Sequence, residues 1–320
     1  NYDTFTTAIY KAWFGLFNLQ AAAQLASLLL LFVFLALGAE RLGRGGKRFY
    51  QGGRKLHQFR FRLRGWQSLA ASGLCWSVFI AAFVMPMLQL LAWSFDSAGE
   101  EFSARYRDLV WHTVSLGVMA AALVVLTALA LVFSERASQQ RLLHFTSTLG
   151  TMGYAVPGSV LAVGVALGLG GFEDSLRNIT GHTQTWLVGG VFALLVAYLV
   201  RFLAVAHGPL TSSLQQIRPS VPEAARSLGA SRWRVVLRVY LPIMRPGLLT
   251  AILLVLVDVM KEMPATLLMR PFGWDTLAVR VYEMTSEGEW QRAALPALTI
   301  VLVGLLPVAL SIRQQYVGGC

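Results

Sequence analysis

Charge is what this sequence has least of. Only 13% of its 320 residues are Asp, Glu, Lys or Arg, against about 25% in a soluble globular domain. A chain so poor in charge, and 56% hydrophobic, lacks the polar groups to cover a folded surface. Lipid must take that place. Cysteine is also scarce. Cys75 and Cys320 lie far apart, without metal or redox spacing, and Cys75, inside an apolar run, is expected to serve packing. No G-x4-G-K-[ST] loop occurs. The nearest stretch, Gly43–Phe49 (GRGGKRF), has Arg after its Lys and no strand before it. Neither H-E-x-x-H nor G-x-S-x-G is present. No nucleotide-binding loop of that kind is therefore expected in this chain, nor a metal or cofactor site. The five histidines, His57, His112, His144, His182 and His207, are scattered and read as structural or interfacial.

What is present is apolar length. Seven stretches, about 20–38, 67–94, 109–133, 146–171, 187–207, 246–269 and 293–313, approach or exceed the roughly 20 residues that cross a bilayer core. The expected fold is an all-α integral membrane protein of about seven spans. The net charge of +11 would point to nucleic acid in a soluble chain. Here its location matters more, because cytoplasmic loops collect Lys and Arg. The loop 39–66 holds nine basic residues and one acid, Glu40, which places it inside. Alternation then puts 134–145, 208–245 and the tail from Arg313 inside as well, and the inside segments together, the loop 39–66 included, hold 18 Lys and Arg against three acids. Residues 1–19, 96–108, 172–186 and 270–292 fall outside, with seven against 11. Lipid is the expected surroundings and nucleic acid is not an expected partner.

A repeat is visible. Tyr2–Tyr10 (YDTFTTAIY) matches Trp274–Tyr282 (WDTLAVRVY) at an offset of 272, and an Ala-Ala pair follows each Tyr by eleven positions. Both copies precede a span running inward, so the repeat is parallel. The expected organisation is 1–38 as the last span of a first repeat, 39–66 as a basic cytoplasmic linker, and 67–320 as a second repeat of six spans.

One polar stretch interrupts the apolar pattern on the inner side, at 220–242. Ser220-Val-Pro-Glu223 has capping-box spacing, Gly229 suits the left-handed end of a short helix, and Ser231 can cap a second. The second carries Trp233, Val236, Val239 and Tyr240 beside Arg232, Arg234 and Arg238, and Pro242 should interrupt it. The result is an elbow of two short helices, with Ala224 and Ala225 small enough to admit a partner. A basic amphipathic segment lying on anionic lipid is the other reading.

The spacing favours the partner. Glu223-Ala224-Ala225, three residues, Gly229, nine residues, Val239, one residue, Leu241-Pro242 resembles the EAA loop of ABC importer permeases, E-A-A-x3-G-x9-I-x-L-P, with Val for Ile. Lys261–Glu283 (KEMPATLLMRPFGWDTLAVRVYE) is similar to the iron(III)-type permeases, whose two halves are often fused. The resemblance implies a MetI-like permease fold in a bacterial inner membrane. It further implies a cytoplasmic ABC ATPase dimer carrying ATP-Mg, a periplasmic substrate-binding protein, and a second permease half. Glu223–Gly229 would be the helix that docks on the ATPase. Thiamine and polyamine permeases share much of the pattern.

Three charges lie within a span: Asp258, Lys261 and Glu262, with Asp258 three and four residues from the others and so on one helical side. An ionisable side chain at the bilayer centre costs about 2.5–3.5 kcal/mol on insertion scales, so these should face protein or water. With Pro264 they form a candidate path or gate; an internal ion-pair cluster is the plainer reading. Arg201, near the inner end of its expected span, would snorkel or pair. Tyr154–Gly164 (YAVPGSVLAVG) is a broken span, able to kink or to pack closely. The outer acids look dispersed, so no iron site is expected in them. A secondary transporter using the carboxylates remains the rival from another class, and a membrane hydrolase a third.

Overall fold

The computed structural model describes residues 4–44, 63–101, 104–138, 140–180 and 189–317. Among these every regular element is helical. In lipid that is the economical answer, since a helix satisfies its own N–H and C=O groups. The helices are α1 Phe5–Tyr10, α2 Leu19–Arg44, α3 Trp66–Phe79, α4 Met85–Glu101, α5 Ala104–Ala137, α6 Arg141–Thr151, α7 Gly158–Thr180, α8 Val191–Gln215, α9 Ser220–Ser227, α10 Arg232–Val235, α11 Leu241–Ile243, α12 Arg245–Met260, α13 Pro264–Met269, α14 Leu277–Ser286 and α15 Trp290–Val317.

Among the described residues five helices are long and apolar enough to cross a membrane, or six if a bent pair, Arg232–Ile243 with Arg245–Met260, is one span. Two of the seven expected spans are broken. The stretch 146–171 divides into α6 and α7, with a 3-10 turn at Met152–Ala155 and an extended Val156 between them. The reason is Pro157, which pushes the residue before it out of the helical region. The stretch 246–269 divides into α12 and α13, with Pro264 in the first turn of the second piece. Periodicity alone does not register such breaks, because apolar residues continue through them.

The core is the packing of α5, α8 and α12. Leu116, Val124 and Val132 from α5 meet Leu194, Tyr198 and Phe202 from α8 and Ala251 and Val255 from α12, all buried. A second cluster joins Ile9, Ala12, Ala22 and Ala26 to Val160 and Val163, so that α1 and α2 lean on α7. α4 packs along α15. Large apolar side chains such as Phe32, Leu69 and Leu126 point outward, as a lipid-facing surface requires. α3 buries none of its residues. Cys75 is exposed on it, so the packing role expected for this thiol is not what the structure has.

The two copies of the repeated stretch adopt the same local structure. Thr4 caps α1 by accepting from the Thr7 N–H at 3.4 Å, and Thr276 caps α14 by accepting from the Val279 N–H at 3.4 Å. Both cap residues are extended, with ψ of 162° and 161°.

Candidate functional site

The elbow at 220–242 is built largely by local rules. α9 closes with a left-handed glycine: Gly229 has φ +85°, which a residue with a Cβ adopts only at a cost. The Gly229 N–H donates to Arg226 O at 2.9 Å and the Ala230 N–H to Ala225 O at 3.0 Å, the paired bonds of a Schellman closure. Ser231 then caps α10 by accepting from the Arg234 N–H. Two expectations are corrected. Ser220 is not a cap but the first residue of α9, because the Glu223 N–H already reaches Pro219 O at 3.4 Å. Pro242 does not interrupt the second helix either. A π turn at Val236–Tyr240 precedes it, the Leu241 N–H bonding Val236 O, and this wider turn absorbs the proline. The chain breaks at Met244 instead, bending by 75° into α12.

The elbow's faces differ from the simple picture of two small residues presented outward. Glu223 and Ala224 are exposed, but Ala225 is half-buried against the core. The prominent outward group is Leu228, 89% exposed at the tip. Leu241 is half-buried and Pro242 exposed. The sequence reading missed Leu228, though an apolar residue just before the capping glycine of a polar helix is a usable signal. It also missed Arg136, at the inner end of α5. The Arg136 guanidinium donates to Leu214 O at 3.0 Å and Ile217 O at 2.9 Å and lies 5.7 Å from the centre of the Tyr240 ring. One side chain thus ties α5, the end of α8 and the elbow together. Phe133 adds a ring contact to Tyr240 at 5.6 Å.

The intramembrane charges do not form one row. The last turn of α12 tightens, with the Glu262 N–H on Val259 O at 3.0 Å, and this turns Glu262 away from Asp258. Asp258 pairs with Lys261 at 2.7 Å, the lysine side chain 62% exposed. Glu262, 6% exposed, pairs instead with Arg201 Nε at 2.9 Å. Arg201 also donates from Nη1 to Val156 O at 2.8 Å, and the other Glu262 oxygen accepts from the Ala265 N–H at 3.2 Å. Arg201 therefore pairs, as one reading had it, but from the middle of α8 and not near its inner end. It joins the two helix breaks, one between α6 and α7 and one between α12 and α13. Gly158 permits this, since a Cβ there would sit 2.5 Å from Glu262 Oε1. Tyr154–Gly164 is thus broken at Val156 and packs closely through Gly158. Tyr198 adds a hydroxyl contact to Thr266 at 2.6 Å. Pro264 opens α13 and borders a small cavity shared with Thr6, Thr7, Tyr10, Ser159 and Tyr282.

On the outer side, Asp275 and Glu283 converge on Arg270, at 2.7 and 2.8 Å, with Arg105 3.5 Å from Asp275. Two acids of this loop are thus gathered on one guanidinium, whereas Glu289 pairs separately with Arg292. His112 stacks on Trp274, ring centres 4.7 Å apart, while His207 lies 3.3 Å from Glu135. His57 and His182 lie outside the described residues. Among the described residues no group of three or more His, Cys, Asp or Glu is placed to hold a metal ion. Tyr10, beside Tyr282, has its phenol pushed above the usual range by burial, then by Tyr282 and Glu283, with Arg270 opposing.

Residues 127–317 match the family described as binding-protein-dependent transport system inner membrane component. The chain belongs to this family. It is 30% identical over 320 residues to an Fe(3+)-transport system permease protein of Haemophilus influenzae, covering 97% of this chain and 60% of that protein. It is 33% identical over 156 residues to a protein of Salmonella typhimurium named for 2-aminoethylphosphonate transport, covering 48% of this chain and 55% of that one. The chain thus spans little more than half the length of these relatives. A crystal structure of a bacterial ABC transporter that imports the polysaccharide alginate shares the fold of this inner membrane component, with TM-score 0.61, 15% identity, 78% of this chain and 97% of that one. The same transporter bound to its periplasmic protein gives TM-score 0.59 and 16% identity over 76% and 92%. The expected MetI-like, all-helical permease fold is what the chain has.

Proposed function

We propose that this inner membrane component is the transmembrane part of an ATP-driven importer of ferric iron delivered by a periplasmic binding protein. The observation that carries the reading is the elbow: the Glu-Ala-Ala and Gly spacing is realised as a capped, closed helical knob with an outward apolar tip. The iron cargo is supported by the name of the Haemophilus relative. ATP-Mg binds the partner ATPase dimer, not this chain. Residues 1–38 are the end of a first permease repeat, 39–66 the linker and 67–320 the second repeat, with the remaining half completing the bundle.

In this mechanism ATP closes the ATPase subunits, which pull on Glu223–Gly229 through Leu228 and Ala224. Arg136 and the bend at Met244 pass the movement to α5, α8 and α12. Arg201 and Glu262 lie where α8 meets the two breaks, so their pairing holds the gate region that includes Pro264, while Asp258 and Lys261 form its more exposed neighbour. Transport then follows as alternation about the repeat interface. The test reconstitutes the full-length permease with its ATPase and binding protein in vesicles. Radioactive ferric iron should accumulate only with ATP and should persist when the proton gradient is collapsed. Uptake that follows the proton gradient instead would establish the secondary-transporter alternative, and uptake of 2-aminoethylphosphonate alone would replace the cargo.

A further inference from the structure

The two limbs of the elbow present different chemistry. α9 ends in the apolar tip at Leu228. The second limb, Arg232–Ile243, stands at 75° to α12. α12 enters the bilayer, and spans tilt from the bilayer normal by about 20° on average. The limb therefore runs close to the membrane plane, at the level where α12 begins. Its sides are sorted by spacing. Val235 and Tyr240 are buried against the core. Trp233 and Leu237, four residues apart, share a second side and are 75% and 57% exposed. Arg234 and Arg238, also four apart, share a third, and both are exposed. From Ala224 to Val257 the chain has five arginines and no Asp or Glu. Among the described residues no ion pair takes up Arg232, Arg234 or Arg238.

We propose that the limb Arg232–Ile243 lies on the inner leaflet and binds anionic phospholipid headgroups. Trp233 and Leu237 enter the boundary between headgroups and acyl chains, where tryptophan is enriched and where in-plane amphipathic helices bury their apolar side. Arg234 and Arg238 reach the phosphates, to which a guanidinium offers paired donors. A cluster of arginines with no acid among them, set at the inner end of a span, is complementary to an anionic leaflet. The limb is rooted in that span, so its exposed sides meet headgroups before any protein docks. The projecting tip at Leu228 is what remains for a protein partner. The two sequence readings of the elbow then belong to different limbs. The inference stands on the membrane setting of the family and not on the importer's cargo. Its consequence is that the limb slides along the leaflet when α9 is pulled, and the lipid keeps it level.

The test places the full-length permease, its native cysteines changed to serine, in phosphatidylcholine vesicles with and without phosphatidylglycerol. A bimane label at Leu237→Cys reports contact with brominated lipid by quenching. Brominated phosphatidylglycerol should quench it more than brominated phosphatidylcholine at the same mole fraction, and added salt should shrink the difference. Arg234→Gln and Arg238→Gln should each lower the preference for the anionic lipid by about fivefold. Both arginines are exposed, so an unchanged melting temperature shows that these variants are folded. A label at Leu228→Cys should be quenched by neither lipid. No quenching at position 237, or equal quenching by the two lipids, overturns the proposal. Quenching that disappears when the ATPase is added also overturns it and gives the limb to that protein. None of these readouts needs ATP or cargo, so a failure of ferric uptake strikes the importer reading alone.

Discussion

The cytoplasmic elbow and the intramembrane junction at Arg201 solve opposite problems. The elbow projects outward, and its shape is fixed by neighbours in sequence: a Schellman closure at Gly229 and a cap at Ser231. The junction is buried, and its shape is fixed by residues 45 and 61 positions apart, Val156 to Arg201 and Arg201 to Glu262. A knob that a partner grips must hold its form alone. A junction inside the bilayer must instead leave no charge unpaired, because water is not there to solvate it. If the elbow is the docking element proposed above, substitutions at the junction should act on the fold and those at the elbow on coupling.

The largest expected effect is therefore at the junction. Arg201→Ala leaves the buried Glu262 carboxylate without its counter-charge, a loss of about 3–5 kcal/mol, and the thermal unfolding temperature of the purified complex should fall accordingly. The double change Arg201→Met with Glu262→Leu should recover much of that loss; no recovery would mean the pair is not the source. Next comes Gly229→Val, which forces a β-branched residue to positive φ at about 1–3 kcal/mol. ATPase activity should persist while uptake declines, and retained uptake would count against a rigid elbow. Leu228→Asp should leave the melting temperature nearly unchanged but weaken ATPase docking by about tenfold, as loss of an apolar anchor does; pull-down of the ATPase reads this. The smallest effect belongs to Lys261→Ala. Lys261 is the exposed member of its pair, 62% against 14% for Asp258, so a loss of about 1 kcal/mol is expected, smaller than at the buried Arg201–Glu262 pair. A larger shift in unfolding would mean that Lys261 does more than pair at the surface.

The same contrast explains what could be read from the sequence. Gly229 and Ser231 announce themselves because capping is a short-range rule that three or four letters encode. The membrane character and the fold class were legible from charge scarcity and apolar length. The division of Asp258 and Lys261 from Glu262 was not, since it depends on a tightened turn before Pro264 and on an arginine 61 residues away. The breaks near Pro157 and Pro264 were only half legible: the prolines are visible, but the apolar letters run on through them. The face of Ala225 was misjudged for a related reason. A helix of eight residues has too few turns to declare which side meets the body of the protein.

The bend at Met244 has a mechanical consequence. The segment from Arg232 to Ile243 stands at 75° to α12, close to a right angle, and at 1.5 Å per residue it is about 18 Å long. It works like a crank on a shaft. A sideways displacement of roughly 3 Å at its far end would turn the shaft by about 10°, far more than the same push along the shaft could do. Straightening this corner would keep every contact at the tip yet remove the torque.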